Sequence, residues 1–262
     1  MDKSQLISLY IQDQRIDVTY PDTRREVTPD VVRHIDTSGE GEGTVIYSQL
    51  TEANAEASIC EQVAYFESIE QSFEWKVYDY DTPPDLKERL DAVGFVVEEA
   101  DAIMVLDLDD APSRLWQPIR HDIQQITEPE KLIDVQTVEE RVWDEDASWV
   151  VDYLDSVLRQ YPDQMSVYVA YVDDQPASAA WTYFPQQSQF ASLWGGATVR
   201  RFRQQGLYTA LLAIRAQEAK ARQVRYLTVD ASPMSRPILE KFGFQMIAYA
   251  YACKWTCQPS RT

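Results

Sequence analysis

A shift of 149 residues carries the first half of this chain onto the second without a gap. Gly94-Phe95 lands on Gly243-Phe244, and Leu90-Asp91-Ala92-Val93 lands on Leu239-Glu240-Lys241-Phe242. Asp81 lands on Asp230, after a strand-like run in each half. TVIYSQL at 44–50 lands on LWGGATV at 193–199, and the helical run carrying Ile59, Val63 and Phe66 lands on the run starting at Gly206. Similarity at a fixed period predicts two copies of one fold unit. Two ordinary α/β halves could share part of this by chance. The gapless order of strand, helix, strand, Asp, short helix and Gly-Phe argues against that.

Periodicity supplies the elements of the second half. Pro118–Thr127 reads as a strand and Glu130–Trp143 as a helix. Val150, Tyr153, Leu154, Val157 and Leu158 fall on one helical face. Met165, Val167, Val169 and Tyr171 alternate as a strand does, and Asp173-Asp174-Gln175-Pro176 forms the turn into a return strand at 178–184. A strand at 189–199, a helix from Leu207 to about Gln223, a strand at 226–229, a short helix at 235–242 and a last strand at 244–255 complete the series. The expected fold class is α/β, an α+β mixed sheet with flanking helices, duplicated. The acid- and proline-bearing stretch DLDDAPSRLWQP at 107–118 divides the copies, giving domains at 1–110 and 111–262.

The bulk properties exclude several classes. No apolar run is long enough to span a bilayer, and the N-terminus lacks a secretory h-region, so the expectation is a cytoplasmic protein without membrane contact. Acids outnumber bases 43 to 24, for a net charge of -19. That field repels nucleic acid and favours cationic partners such as amines; the acids also serve solubility. Cys60, Cys253 and Cys257, with His34 and His121, make neither a disulfide framework nor a metal set, so no metal is expected and the cysteines read as reduced and structural.

Against this acidic background RRFRQQGLYTALL at 200–212 stands out. Residues 198–225 hold seven bases and one acid, Glu218. A strand, then a glycine-bearing basic loop, then a helix N-terminus is an anion site: first-turn N–H groups are free, the dipole is positive there, and glycine admits close approach. Arg200, Arg201 and Arg203 would orient a polyanion. Neither GxxxxGK[ST] nor GxGxxG is present, so nucleotide triphosphatase and dinucleotide-binding readings lack support. The matching N-terminal segment, TEANAEASI at 51–59, has Glu52 and Glu56 and no glycine, so that copy should bind no anion.

Arg203-Gln204-Gln205-Gly206-Leu207-Tyr208 after GGATV, with RPILEKFGF at 236–244, resembles the two signatures of the GCN5-related N-acetyltransferase (GNAT) superfamily. The resemblance covers the C-terminal half from about 117 to 257 and, through the repeat, implies a truncated, degenerate copy in the N-terminal half. It implies the acyl-CoA N-acyltransferase-like fold and acetyl-CoA as co-substrate. The pyrophosphate would meet the N–H groups of Gln204, Gln205, Gly206, Leu207, Tyr208 and Thr209. Arg203 would meet phosphate, and Ala197, Thr198 and Val199 would pair with the pantetheine arm, a nearby N–H polarising the thioester carbonyl. Ser232 falls where the family often has an asparagine.

Three positions depart from the pattern. Tyr208 replaces Gly or Ala, Leu239 stands where many members have a tyrosine acid, and QFASLWGG carries no glutamate. No acid or base is therefore carried over; Asp230, Ser235, Tyr183, Tyr249 and Tyr251 remain candidates. The implied activity is transfer of an acetyl group to a primary amine, on a small molecule or peptide, by direct attack in a ternary complex. The alternative is a catalytically inactive acyl-CoA-binding or protein-interaction module. Monomer and homodimer are both open.

Overall fold

The computed structural model describes residues 1–39 and 41–258. In chain order the elements are helix α1 (Lys3–Tyr10), running into a π-helical turn at Ile11–Ile16, strands β1 (Thr23–Val27), β2 (Val31–Asp36) and β3 (Gly43–Ser48), helix α2 (Ala55–Ser68), strand β4 (Phe73–Tyr78), helix α3 (Leu86–Ala92), and strands β5 (Val96–Val97) and β6 (Asp101–Asp107). There follow β7 (Asp122–Ile126), α4 (Leu132–Trp143), α5 (Ser148–Gln160), β8 (Met165–Val172), β9 (Gln175–Tyr183), β10 (Phe190–Thr198), α6 (Leu207–Ala221), β11 (Tyr226–Ala231), α7 (Arg236–Lys241) and β12 (Gln245–Trp255). The expected elements of the second half are all present with ends shifted by a few residues; β9 starts at Gln175, inside the expected turn 173–176, and β11 runs on to Ala231.

Packing groups the chain into two compact units. One holds Met1–Met104, Asp230–Pro237 and the segment from Met246 on; the other holds Val105–Val229 and Ile238–Gln245. The units are therefore not contiguous stretches of chain. The last strand packs with the N-terminal residues, because β12 pairs antiparallel with β4 and buries Cys253 among Phe73, Trp75 and Phe95.

In the first unit the strand order is β1-β2-β3-β4-β12. Only β3 and β4 run parallel, and α2 makes the crossover that a parallel pair requires. The core is aromatic: Phe66 stacks on Phe73 at 4.1 Å between centroids, and Phe95 meets Phe73 edge-on at 5.3 Å. The Gly94-Phe95 pair serves this core, since the Phe95 N–H returns to the Leu90 carbonyl and the ring drops inward behind α3.

In the second unit the order is β11-β10-β9-β8-β7, with β10 and β11 parallel and α6 as the crossover. Leu207 and Leu211 seat α6 on Tyr168, Ala170, Ala177 and Ala180. Burying such leucines contributes roughly 1.5–3 kcal/mol each. Val150, Leu154 and Val157 form the buried face of α5, as their spacing predicts. Phe244 repeats the turn of Phe95, its N–H returning to Leu239. Both units thus carry an antiparallel pair, a crossover helix, a parallel strand, a short helix and a Gly-Phe turn, in that order.

Candidate anion and acyl site

The basic loop lies in the second unit, between β10 and α6. Its approach is irregular for a reason legible in the side chains. Gly195 (φ +64°) and Gly196 (φ +84°) shift the β9–β10 register and form a bulge. A Cβ on Gly195 would lie 2.6 Å from the Trp181 ring, and one on Gly196 would lie 3.1 Å from the Tyr208 ring. A side chain at Gly195 would clash, and one at Gly196 would crowd the Tyr208 ring and strain the left-handed backbone. The β10–β11 ladder covers Phe190–Ser192 against Tyr226–Thr228 and then stops. From Leu193 on, β10 keeps a strand partner on its β9 side alone among the described residues.

The end of β10 sets which amide faces outward. An N–H near Val199 is expected at the acyl group; the Val199 N–H itself donates to the Ala177 carbonyl at 2.9 Å and is engaged. Strand alternation then turns the Thr198 amide to the side away from β9. The Thr198 carbonyl on that side accepts from Arg203 Nε at 3.1 Å. Ser178 Oγ donates to the Ala197 carbonyl at 2.6 Å and tightens the same corner.

The loop then winds into a cradle. Gln204 (φ +63°) and Gly206 (φ +81°) are both left-handed, an alternation that turns successive N–H groups to one side. Phe202 and Arg203 close back on Val199 and Arg200, and Ala210 closes on Gly206. Between them the backbone N–H groups of Gln204, Gln205, Gly206, Leu207, Tyr208 and Thr209 find no acceptor among the described residues. Six consecutive free donors at a helix N-terminus are what a phosphate needs. Arg200, Arg201 and Arg203 make no ion pair among the described residues; Arg201 bonds Gln175 and lies over Phe202. His121 donates from Nε2 to the Gln205 carbonyl at 2.9 Å and holds the loop from β7's approach.

Tyr208, at the position where the family pattern has a small residue, is turned aside against Gly196, and burial pushes its phenol pKa up. Leu207 is buried and Thr209 caps back on the Gly206 carbonyl. Ala197 and Val199 are buried, while Arg203, Gln204, Gln205 and Gly206 are exposed. These positions are thus brought together in one continuous segment.

The other candidates are held by neighbours. Tyr183, in the second unit, is buried and donates to Gln164 at 3.2 Å. Ser232, Asp230, Ser235, Tyr249 and Tyr251 pack in the first unit. There Asp230 is ion-paired with Lys76, Tyr249 accepts from Arg236 Nη1 at 2.7 Å, and Tyr251 lies under the Lys87 ammonium. Ser232 and Ser235 share a turn, the Ser235 N–H reaching the Ser232 carbonyl at 3.1 Å. No group of three metal-binding side chains occurs among the described residues. None of these helices is long and apolar enough to cross a membrane.

Pattern reading missed three residues of the second unit. Glu139 is buried on α4, bonded through one oxygen to the Trp143 indole, and burial raises its pKa despite that bond. Arg215 is buried on α6, where its i+4 spacing from Leu211 was the available signal. His121 carried none, because its partner lies 84 residues away.

Residues 124–255, half of the chain, match the family described as acetyltransferase (GNAT) domain. A GCN5-related N-acetyltransferase from Kribbella flavida superposes with a TM-score of 0.66 at 13% identity, over 96% of this chain and 93% of that one. A functionally unknown conserved protein from Staphylococcus epidermidis gives 0.67 at 14%, over 92% and 96%. A tandem GNAT protein from the clavulanic acid biosynthesis pathway gives 0.60 at 15%, over 93% and 86%. At these identities the likeness is one of fold. No curated protein matches the chain.

Proposed function

Because the chain belongs to the GNAT acetyltransferase family, we propose that it transfers the acetyl group of acetyl-CoA to a primary amine. The observation that carries this reading is the run of six unsatisfied N–H groups from Gln204 to Thr209. They suit the pyrophosphate, with Arg203 and its neighbours suited to the remaining phosphate charge. The unpartnered side of β10 beyond Ser192 suits an extended pantetheine arm, which pairs with a strand edge as another strand would. The Thr198 amide is the donor suited to the acyl oxygen.

Bound acetyl-CoA supplies an activated thioester. The amine nitrogen bonds to the acyl carbon, the C–S bond breaks, the thiolate leaves, and the amine proton passes to solvent through water. The protein's part is to hold the two reactants together, which can lower a barrier by several kcal/mol. No side chain is needed as a covalent carrier.

The domain with this site is residues 111–262 in this reading, and residues 1–110 are a degenerate copy. The N-terminus of α2 supports the loss. Asp30 accepts from Asn54 Nδ2 at 3.1 Å and from Ser58 Oγ at 2.5 Å, which puts a carboxylate beside this helix start, and the Asn54 and Ala55 N–H groups already bond the Thr51 carbonyl. The net charge of -19 favours a cationic acceptor, a small amine or a basic peptide. The test is release of free coenzyme A thiol from acetyl-CoA over a panel of mono-, di- and polyamines and lysine peptides. Amine-dependent release supports the reading. Tight binding with no release over the whole panel overturns it in favour of a binding module.

A further inference from the structure

In each unit a buried arginine donates to a carbonyl of the bulged strand that leads into the crossover helix, and the two differ in their counter-charge. In the first unit the β2–β3 register skips Ile46. Arg15, with a fully buried side chain, donates from Nε to the Ile46 carbonyl at 3.0 Å. Its other nitrogens make a two-pronged pair with Asp81 at 2.7 and 2.8 Å, and its guanidinium lies 3.8 Å from the Tyr78 ring centroid. The positive charge is matched.

A shift of 149 residues carries Ile46 onto Gly195, inside the bulge of the second unit, and carries Phe66 onto Arg215. Arg215 is 2% exposed. Its Nη1 donates to the carbonyls of Trp181 and Trp194, at 3.3 and 3.2 Å. These are cross-strand partners, one pair ahead of Gly195 and Ala180, after which the register shifts. Its Nε donates to Leu211 at 3.1 Å on its own helix. The bulge is thus pinned in both units by a guanidinium, delivered from different elements.

The difference lies in the counter-charge. Arg215 has no carboxylate partner among the described residues. Glu218, three residues on, is taken by Ser166, Tyr168 and Arg222. Burial draws the Arg215 pKa down to about 10, opposed by the Tyr208 and Tyr168 phenols, so the group stays protonated at neutral pH. A buried charge bonded only to carbonyls is costly to keep. The first unit puts phenylalanine at the matching helix position, an apolar residue that avoids the cost.

We propose that Arg215 is a positioning residue for acyl transfer, fixing the Trp194 carbonyl and the Gly195-Gly196 bulge so that the β10 amides face the acyl oxygen, with its unmatched charge favouring the negative charge that rises there. This rests on the acetyl-CoA reading above.

The experiment compares wild type, Arg215→Met and Arg215→Lys in two assays. The first is steady-state acetyl transfer to the best amine of the panel. Arg215→Met keeps the acetyl-CoA KM within about threefold, because the phosphate cradle is untouched, and loses about 100-fold in kcat, the scale of one lost oxyanion donor. Arg215→Lys recovers at least a tenth of wild-type kcat. The second assay is amide hydrogen exchange, which speeds at Gly195–Ala197 in Arg215→Met while α6 stays protected. Wild-type turnover with Arg215→Met within threefold of it overturns the proposal, as does a lysine variant no better than methionine or unchanged exchange at the bulge. A wild type that neither binds nor turns over acetyl-CoA overturns the acetyl-CoA reading instead, and the catalytic role of Arg215 with it.

Discussion

Asp81→Asn should be among the most damaging single substitutions in the first unit. Asp81 and Arg15 have side-chain exposures of 4% and 0%, and the carboxylate takes both terminal nitrogens of the guanidinium as well as the Tyr78 N–H at 2.9 Å. Asparagine keeps one acceptor but turns an amide N–H toward the cation. Removing one charge of a buried pair costs about 3–5 kcal/mol, since the other charge is left uncompensated. Against a total stability of roughly 5–15 kcal/mol, that is about a fifth of the whole or more. With a urea dependence of about 2 kcal/mol per molar, the midpoint falls by ~1.5–2.5 M. Tryptophan fluorescence in urea reads it, Trp75 being fully buried in the affected core. In the double variant Arg15→Met/Asp81→Asn the orphaned charge is gone, so the loss is smaller than the sum of the two single losses. A single-variant shift below ~0.3 M, or strict additivity in the double variant, would refute the reasoning.

Two titrating groups give further predictions. Glu139 has its pKa raised by burial, so its folded form prefers the proton and its destabilising effect grows as pH rises from about 4.5 through the folded pKa. Glu139→Gln therefore raises the thermal midpoint at pH 7.5 and leaves it nearly unchanged at pH 4. His34 is held neutral, its pKa drawn down to about 4 by burial and by the Arg25 charge. Stability from this group is complete above pH 6.5 and falls as pH drops toward 4, by about 3 kcal/mol at full effect. His34→Leu should flatten that part of the urea-midpoint profile, and an unchanged slope would contradict the assignment.

Local signals made much of the second half readable. The period of α5, the alternation in β8 and the Gly-Phe turns need only neighbouring residues to specify them. The candidate loop at 200–209 is legible for the same reason: its glycine, its bases and its helix start are contiguous. What lay beyond reach depends on distant partners. The Arg15–Asp81 pair spans 66 residues, and β12 finds β4 from the other end of the chain. The first 40 or so residues gave no periodic pattern, yet form α1 and the β1–β2 hairpin, both tied down by tertiary contacts such as the Arg25 bonds to the Ile16 carbonyl. Arg215 is one of the seven bases at 198–225, and in sequence a cation buried on carbonyls looks like any other helix arginine.

The central claim is that the Gln204–Thr209 amides hold the phosphates of acetyl-CoA. Calorimetric titration of acetyl-CoA into wild type and into Gly206→Glu tests it most directly. Gly206 is left-handed at φ +81°, and glutamate there adds both strain and a negative charge to the cradle. Gly206→Asn, which tolerates that φ, controls for the backbone. The account predicts micromolar binding by wild type, weaker binding by the asparagine variant, and no detectable heat with glutamate in a protein that still unfolds cooperatively. Absence of binding by wild type, or equal binding by wild type and Gly206→Glu, would contradict it.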